Sequence, residues 1–148
     1  MVLDDGTVRV FYRSGSSILC YTDYLWDGDE YVRDEANTSV STAAVKNGGN
    51  GCMLSAVKYP RKINGREMIC VATPATSNSR SDGHVYCFYV NKNGTMELVA
   101  DYDITPDSAE YYAYSCLTVL TAGEESGDLA LFWEDSWASS PATATIRY

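Results

Sequence analysis

The sequence has few of the residues from which metal and redox sites are built. It contains a single histidine among 148 residues, and its five cysteines lie far apart without a C-x-x-C pair. Such sites use closely spaced cysteines and histidines, so we expect neither a metal nor a cofactor. Cys70, Cys87 and Cys116 stand among strand-forming residues, and we interpret them as small apolar core residues. His84 precedes "VYCFYV" at a predicted strand start, where we expect a structural role.

Positive charge is also scarce. The chain has 11 basic and 20 acidic residues, for a formal net charge of −9. Phosphate backbones are held by clustered lysines and arginines, so nucleic acid is an improbable partner for this composition. An acidic chain that binds an anion must hold it locally, with a few well-placed arginines.

Long apolar runs are absent as well. No stretch approaches the roughly 20 residues that a membrane helix needs. The residues after Met1, "VLDDGT", do not form the basic and apolar regions of a signal peptide. We therefore expect no membrane segment and no targeting signal within these 148 residues.

What the sequence does contain is a series of short β-branched or aromatic runs separated by Asx-Gly pairs. Examples are "MVLDDGTVRVFYR", "RKINGREMICVATP", "SRSDGHVYCFYV" and "VNKNGTMELVADY". Asn-Gly and Asp-Gly adopt the positive φ angles of tight hairpin turns. Many short strands punctuated in this way predict an all-β sandwich, barrel or propeller.

Two of the turns have a similar pattern. Residues 91–98, "NKNGTMEL", and residues 24–31, "YLWDGDEY", each combine a polar glycine turn with an apolar or aromatic residue at the eighth place. They resemble the Asp-box of sialidase propellers, in which polar residues close a hairpin above an aromatic side chain. This repeat favours a propeller.

Longer motifs extend the resemblance over nearly the whole chain. The segments "TPATSNSRSDGHVYCF", "AYSCLTVL" and "LALFWED" resemble the C-terminal part of an exo-α-sialidase (neuraminidase), with its loop ending in arginine, its Tyr-Ser-x-Leu strand and its Leu-Tyr-Glu strand. "GCMLSAVKY" resembles the family's Cys-Gln-x-Ser segment, and "DDGTVRVFYRS" resembles a strand that ends in an earlier family arginine. The resemblance implies an all-β, partial six-bladed β-propeller made of antiparallel sheets.

The resemblance also implies roles for individual residues. It assigns Arg13 and Arg80 to the carboxylate of sialic acid, which suits arginine because its planar fork matches a carboxylate and keeps its charge. It assigns Tyr114 as the nucleophile of a retaining mechanism, a known exception among glycosidases. A neutral phenol avoids repulsion by the carboxylate on the anomeric carbon, but it needs a base to remove its proton.

Neighbouring residues sharpen this assignment. Only Tyr114 is followed by Ser-x-Leu, so Tyr111 and Tyr112 are interpreted as packing or rim residues. Glu134 matches the glutamate of the Leu-Tyr-Glu strand, where it would hydrogen-bond an arginine and fix its direction. Met53 stands where the family usually has glutamine.

Several family residues lie outside this sequence. At about 40 to 60 residues per blade, residues 1–148 supply about two and a half blades, the C-terminal part of the domain. The family's first arginine, its acid/base aspartate and the glutamate partner of the tyrosine would all precede the strand that contains Arg13. We expect the isolated chain to be inactive, and to self-associate or to need the missing N-terminal half.

Three functional interpretations remain open. The first is part of an exo-α-sialidase that hydrolyses terminal sialic acid from sialylated glycans; family resemblance would make its parent protein secreted or cell-surface. The second is a non-catalytic, propeller-derived module for glycan binding or interaction. The third is an unrelated β-sandwich, which requires the ordered motifs to be coincidence.

Overall fold

A computed structural model describes residues 1–13, 18–36, 53–76, 80–105, 111–123 and 127–134, together with the backbone of residues 144–147. These residues form ten β-strands and no helix, and so contain no helix that could cross a membrane. In chain order the strands are β1 (Val8–Arg13), β2 (Leu19–Trp26), β3 (Tyr31–Asp34), β4 (Ser55–Lys58), β5 (Met68–Pro74), β6 (Gly83–Val90), β7 (Met96–Asp103), β8 (Ala113–Val119), β9 (Leu129–Glu134) and β10 (Ala144–Arg147).

The Asx-Gly pairs form turns between strands, as the sequence predicts. Asn64 and Gly65 both have positive φ, 51° and 75°, and Ile63 pairs with Arg66 around them. Asn93 and Gly94 lie in the β6–β7 turn, where the Asn93 carboxamide oxygen accepts a hydrogen bond from the Thr95 backbone. In the β2–β3 turn, Asp27 accepts hydrogen bonds from the amides of residues 29 and 30.

The described strands form three antiparallel sheets. Sheet 1 has the order β1-β2-β3, sheet 2 the order β4-β5-β6-β7 and sheet 3 the order β10-β9-β8. Each sheet is a meander of consecutive strands, the arrangement that the blades of a propeller require.

Sheet 2 lies between the other two sheets and is buried on both faces. Side chains alternate across a strand, and along β5 and β6 each alternate set enters a different core. One core joins Ile69, Val71, Tyr86 and Phe88 to Leu3 and Leu19 of the sheet 1 region. The other joins Cys70, Ala72, Val85 and Cys87 to Tyr112, Leu117, Leu131 and Trp133 of the sheet 3 region.

Contacts between turns show that the three sheets lie side by side with their corresponding ends together. Lys58, at the end of β4, forms an ion pair with Asp4 in the turn before β1. The Tyr59 hydroxyl donates to the Gly127 carbonyl, in the β8–β9 connection, at 2.6 Å. The turn before β1, the β4–β5 turn and the β8–β9 connection therefore meet at one end, which we call the turn end. The last residues of β1, β5 and β9 and the first residues of β6 and β8 lie at the opposite end, the loop end.

A buried ion pair joins sheet 1 to the β6–β7 turn. The Arg9 guanidinium donates to both carboxylate oxygens of Asp23, at 2.8 and 2.6 Å, and also to the Gly94 carbonyl. The guanidinium lies 4.0 Å from the Tyr21 ring centroid. Arg9 and Asp23 are fully buried, so removal of either partner leaves an uncompensated charge in the core.

We expect Arg9→Met to lower the free energy of unfolding by about 3 to 5 kcal/mol, measured by urea denaturation. Arg66→Met is the matched control, because Arg66 also pairs with a carboxylate and lies 4.4 Å from the Tyr89 ring centroid, but is partly exposed. The control should lose at most about 1 kcal/mol. Equal losses for the two variants would show that burial does not set the cost.

His84 sits in an acidic environment where β6 meets β7. Its Nδ1 lies 2.6 Å from an Asp101 carboxylate oxygen, and its Nε2 lies 3.4 Å from Asp82. Its backbone pairs with Asp103, and its ring stacks on Tyr86. Burial disfavours the imidazolium, yet Asp101 and then Asp82 outweigh this and raise the pKa of His84 above its usual value of 6.5.

A raised pKa means that the folded state binds the proton more tightly than the unfolded state does. The stabilisation is complete below about pH 6.5 and is lost as the pH rises through the raised pKa. We expect the difference in urea midpoint between the wild type and His84→Gln to shrink from pH 5.5 to pH 9. Because His84 is the single histidine, its ring proton also reports the pKa directly by NMR. A titration at or below pH 6.5 would contradict this prediction.

Candidate active site

The residues that the sequence singled out all lie at the loop end of the sheets. Arg13 is the last residue of β1, Arg80 lies in the β5–β6 connection, Tyr114 is the second residue of β8 and Glu134 is the last residue of β9. Met53 lies just before β4, whose first residue pairs with Ala72 near the loop end. Residues far apart in sequence are thus brought to one end of three neighbouring sheets.

Tyr114 lies in a β-bulge with an unusual backbone conformation. Ala113 pairs with Glu134 and Cys116 pairs with Phe132, so two residues of β8 oppose Trp133 alone. Tyr114 has a φ of 47°, which is rare for a bulky side chain. Bulges re-aim side chains and are common beside active sites. Here Tyr114 is half-exposed (52%), between the buried residues Ala113 and Ser115.

Arg80 lies against Tyr114. Its guanidinium carbon is 4.8 Å from the Tyr114 ring centroid, within the range of a cation–π contact. Its Nη1 also donates a long hydrogen bond, 3.4 Å, to the Tyr111 hydroxyl. The phenols of Tyr111 and Tyr114 raise the pKa of Arg80, and the guanidinium stays charged.

The backbone fixes this contact between sheets 2 and 3. The Tyr112 amide donates to the Arg80 carbonyl at 2.8 Å, and Ser81 forms a β-bridge with Tyr111. The segment that carries Arg80 is therefore attached to the segment that leads into Tyr114.

The three clustered tyrosines have different environments. Tyr112 is completely buried and stacks on Trp133 with ring centroids 6.0 Å apart. Burial raises the pKa of Tyr112 to about 12. A Cβ atom on Gly83 would lie 2.1 Å from the Tyr112 ring, so a residue with a side chain cannot replace this glycine without displacing the ring. Tyr112 is thus a packing residue, Tyr111 lies beside Arg80, and Tyr114 is the most accessible of the three.

The other predicted residues share the loop end without joining this contact. Arg13 is exposed and belongs to sheet 1, on the far side of sheet 2 from Tyr114. Glu134 is half-buried and lies across from Ala113, next to Tyr114 in the sheet. Among the described side chains, no arginine forms an ion pair with Glu134. Met53 is exposed.

One group of residues near this end has the composition of a metal site. Ligand atoms of Asp82, His84 and Asp103 lie within 4.8 Å of one another. Both ring nitrogens of His84 already have carboxylate partners, Asp101 and Asp82.

Sequence reasoning missed two features of the site. It interpreted Tyr111 as a packing or rim residue, and no local motif indicates that its hydroxyl reaches Arg80, 31 positions away. It also gave no sign of the bulge at Tyr114. The Asp-Gly pair at residues 82 and 83 did indicate a turn at this place. Asp82 adopts a φ of 63°, and Gly83 leaves room for the Tyr112 ring.

No protein-family model matches the sequence. Two curated proteins do. Over 146 residues, 92% of this chain, it is 27% identical to the anhydrosialidase of Macrobdella decora. Over 72 residues, 47% of the chain, it is 36% identical to sialidase B of Streptococcus pneumoniae. The matches span only 18% and 10% of those relatives.

The fold agrees with the sequence matches. The leech intramolecular trans-sialidase, solved as a complex with 2,7-anhydro-Neu5Ac, superposes with a TM-score of 0.76 and 22% identity, covering 99% of this chain and 22% of that one. Sequence and fold therefore agree: the chain is similar to part of the β-propeller of sialidases.

Proposed function

We propose that this chain is the C-terminal part of a sialidase catalytic domain that acts on terminal sialic acid of glycoconjugates, with Tyr114 as the nucleophile. The observation that carries the proposal is the geometry of Tyr114. A bulky residue with positive φ is costly, and here the bulge presents a half-exposed phenol beside a guanidinium. A tyrosine that only packed would need neither the strain nor the exposure.

Two arginines at the loop end suit an anionic substrate. The chain is acidic overall, but Arg13 and Arg80 both lie at this end. Sialic acid carries a carboxylate on the carbon that reacts, so binding through arginines would place that carbon near a fixed point. Since Arg80 already touches the Tyr114 ring, a carboxylate held by Arg80 would lie close to the phenol.

In this proposal Tyr114 forms the covalent intermediate. Its phenol oxygen would attack the anomeric carbon and displace the leaving-group oxygen, and a second attack on the same carbon would release the product with retention. A base must remove the phenol proton and an acid must protonate the leaving group. From the family resemblance we expect both in the segment that precedes the matching region in the family. Glu134 would orient an arginine of the complete site.

The chain by itself supplies only part of this machinery. The described residues form ten strands, and at four strands per blade they correspond to two and a half blades. The matched region is a fifth or less of the curated relatives. We therefore propose that the isolated chain is inactive and that the complete propeller forms the site.

The names of the relatives suggest two possible acceptors for the second step of the reaction, in which the covalent intermediate is broken down. One is named an anhydrosialidase, and another is an intramolecular trans-sialidase with 2,7-anhydro-Neu5Ac bound. An acceptor hydroxyl within the sialyl group would give an anhydro product, and water would give free sialic acid. Separation of the products by chromatography distinguishes the two.

We expect this chain to turn over an activated sialoside only when joined to an N-terminal propeller half that supplies the glutamate, the aspartate and the third arginine. In that assembly, Tyr114→Phe should lower kcat by at least about 100-fold, because the ring stays and only the attacking oxygen is lost. The measurement is the initial rate of release of the activated leaving group.

Tyr111→Phe is the matched control for this experiment. It removes a hydroxyl that also contacts Arg80, yet it should retain most of the activity. Tyr112→Phe should likewise remain active. If a Tyr114→Phe assembly with an unchanged urea midpoint kept near-full activity, Tyr114 would not be the nucleophile, and a glycan-binding module would become the better interpretation.

The outward faces of the two outer sheets support the idea of a partial propeller. Arg9 pairs with Asp23 on the face of sheet 1 that meets sheet 2, so Val10 and Tyr12 project from the other face, where both are exposed. Phe132, at the middle of sheet 3, is also exposed. In a closed propeller each such face would be covered by the next blade.

We expect the isolated 148-residue chain to self-associate through these faces, as seen by sedimentation velocity at increasing concentration. Val10→Lys should reduce the association, because a charge would be buried between subunits. Val32→Lys is the matched control: Val32 is as exposed as Val10 but pairs with Leu25 on the other face of sheet 1. A wild-type chain that stays monomeric at high concentration would contradict this prediction.

A further inference from the structure

We propose that Cys70 and Cys87 form a disulfide across β5 and β6, and that this bond closes the hairpin whose connection carries Arg80. The proposal goes beyond the proposed function and does not depend on it, since it concerns only the covalent state of two thiols in the core of the fold.

The backbone places the two cysteines opposite each other. They are direct partners in the antiparallel pairing of β5 and β6. Opposite residues in such a pair have Cα atoms about 4.5 or 5.5 Å apart, and both values fall within the range of about 4.4 to 6.8 Å found for disulfides. No movement of the strands is needed to bridge this pair.

The side chains point at each other as well. The Sγ atoms of Cys70 and Cys87 are 2.9 Å apart, and an S–S bond is about 2.05 Å long. Both residues belong to the core between sheets 2 and 3 and are almost completely buried. The fold therefore holds two thiols at short range, with no other described cysteine beside them.

A cleft reaches one of these two cysteines. Its volume is about 670 Å³, and Cys87 lines it together with Tyr59, Val99 and Leu129. The walls are largely apolar, and Val99 is partly exposed at the surface. A small organic disulfide could enter this cleft without separation of the sheets.

The contact between the thiols also distinguishes them chemically. A hydrogen bond from the Cys70 thiol lowers the pKa of Cys87, although burial opposes this, and the same bond raises the pKa of Cys70. The thiolate is the nucleophile in disulfide exchange. The cysteine that lines the cleft is therefore also the one whose thiol loses its proton more readily.

The exchange is balanced when a small organic disulfide serves as oxidant. The Cys87 thiolate attacks one sulfur of that disulfide, forms a mixed disulfide and releases one thiol. The Cys70 sulfur then loses its proton and attacks the Cys87 sulfur, which releases the second thiol. Two protein thiols are oxidised, and one organic disulfide is reduced to two thiols.

The bond would constrain the part of the chain that reaches the candidate site. Residues 70 to 87 include the β5–β6 connection, in which Arg80 contacts Tyr111 and Tyr114. Closing this loop reduces the conformational freedom of the unfolded chain, so the oxidised protein should be the more stable form.

The test uses the 148-residue chain under conditions where it shows a cooperative urea transition. The chain is equilibrated with reduced and oxidised glutathione, free thiols are blocked with iodoacetamide, and linked peptides are quantified by mass spectrometry without reduction. We expect the Cys70–Cys87 pair at a level at least about tenfold above that in the same chain unfolded in guanidinium, because the fold raises the effective concentration of the two thiols. We also expect the urea midpoint to rise on oxidation.

Cys87→Ala and Cys20→Ala form the matched pair of variants. Both remove a buried thiol, but only Cys87→Ala should abolish the dependence of the urea midpoint on the glutathione ratio. If the native chain gave no Cys70–Cys87 peptide, or no more than the unfolded chain gave, the proposal would be overturned. If Cys87→Ala kept the redox dependence of the wild type, a different cysteine pair would be responsible.

Discussion

The fold depends on the burial of sheet 2 on both faces. A sheet that is covered on one side needs an apolar residue at every second position, whereas β5 and β6 supply apolar residues at almost every position. Ile69 and Val71 pack towards sheet 1, and the intervening Cys70 and Ala72 pack towards sheet 3. Because both faces of sheet 2 must be covered, the three sheets pack together in a stack. This packing determines which loops become neighbours.

The candidate site is a consequence of that stacking. Arg80 and Tyr114 lie on different sheets, and they meet because the core between those sheets aligns the β5–β6 connection with the start of β8. The bulge at Tyr114 is held in place by buried neighbours: Ala113 and Ser115 beside it, and Trp133 across from it. The surrounding core thus stabilises a backbone conformation that the isolated segment would not favour.

Arg9 and Arg80 differ in how deeply they are buried. Arg9 is enclosed by Asp23, Tyr21 and the β6–β7 turn, and its guanidinium joins sheet 1 to sheet 2. Arg80 is only half-buried, and its contacts include the phenols of Tyr111 and Tyr114. Its side chain therefore reaches the loop end, whereas the Arg9 side chain is committed to the core.

The sequence alone determined the all-β class, the antiparallel hairpins and the sialidase resemblance, and the fold and the relatives confirm them. Turns such as Asn64-Gly65 and the alternation of side chains along a strand depend on only a few adjacent residues. The sequence alone can therefore predict them. The motif around Tyr114 is also local, and it predicts that Tyr114 rather than Tyr111 or Tyr112 is the nucleophile. Tertiary structure alone decided the contact of Arg80 with two tyrosines and the bulge that exposes Tyr114. It also decided the burial of Arg9 and the cross-strand pairing of Cys70 with Cys87. Each of these depends on the register and packing of strands distant in sequence, and no local pattern encodes that register.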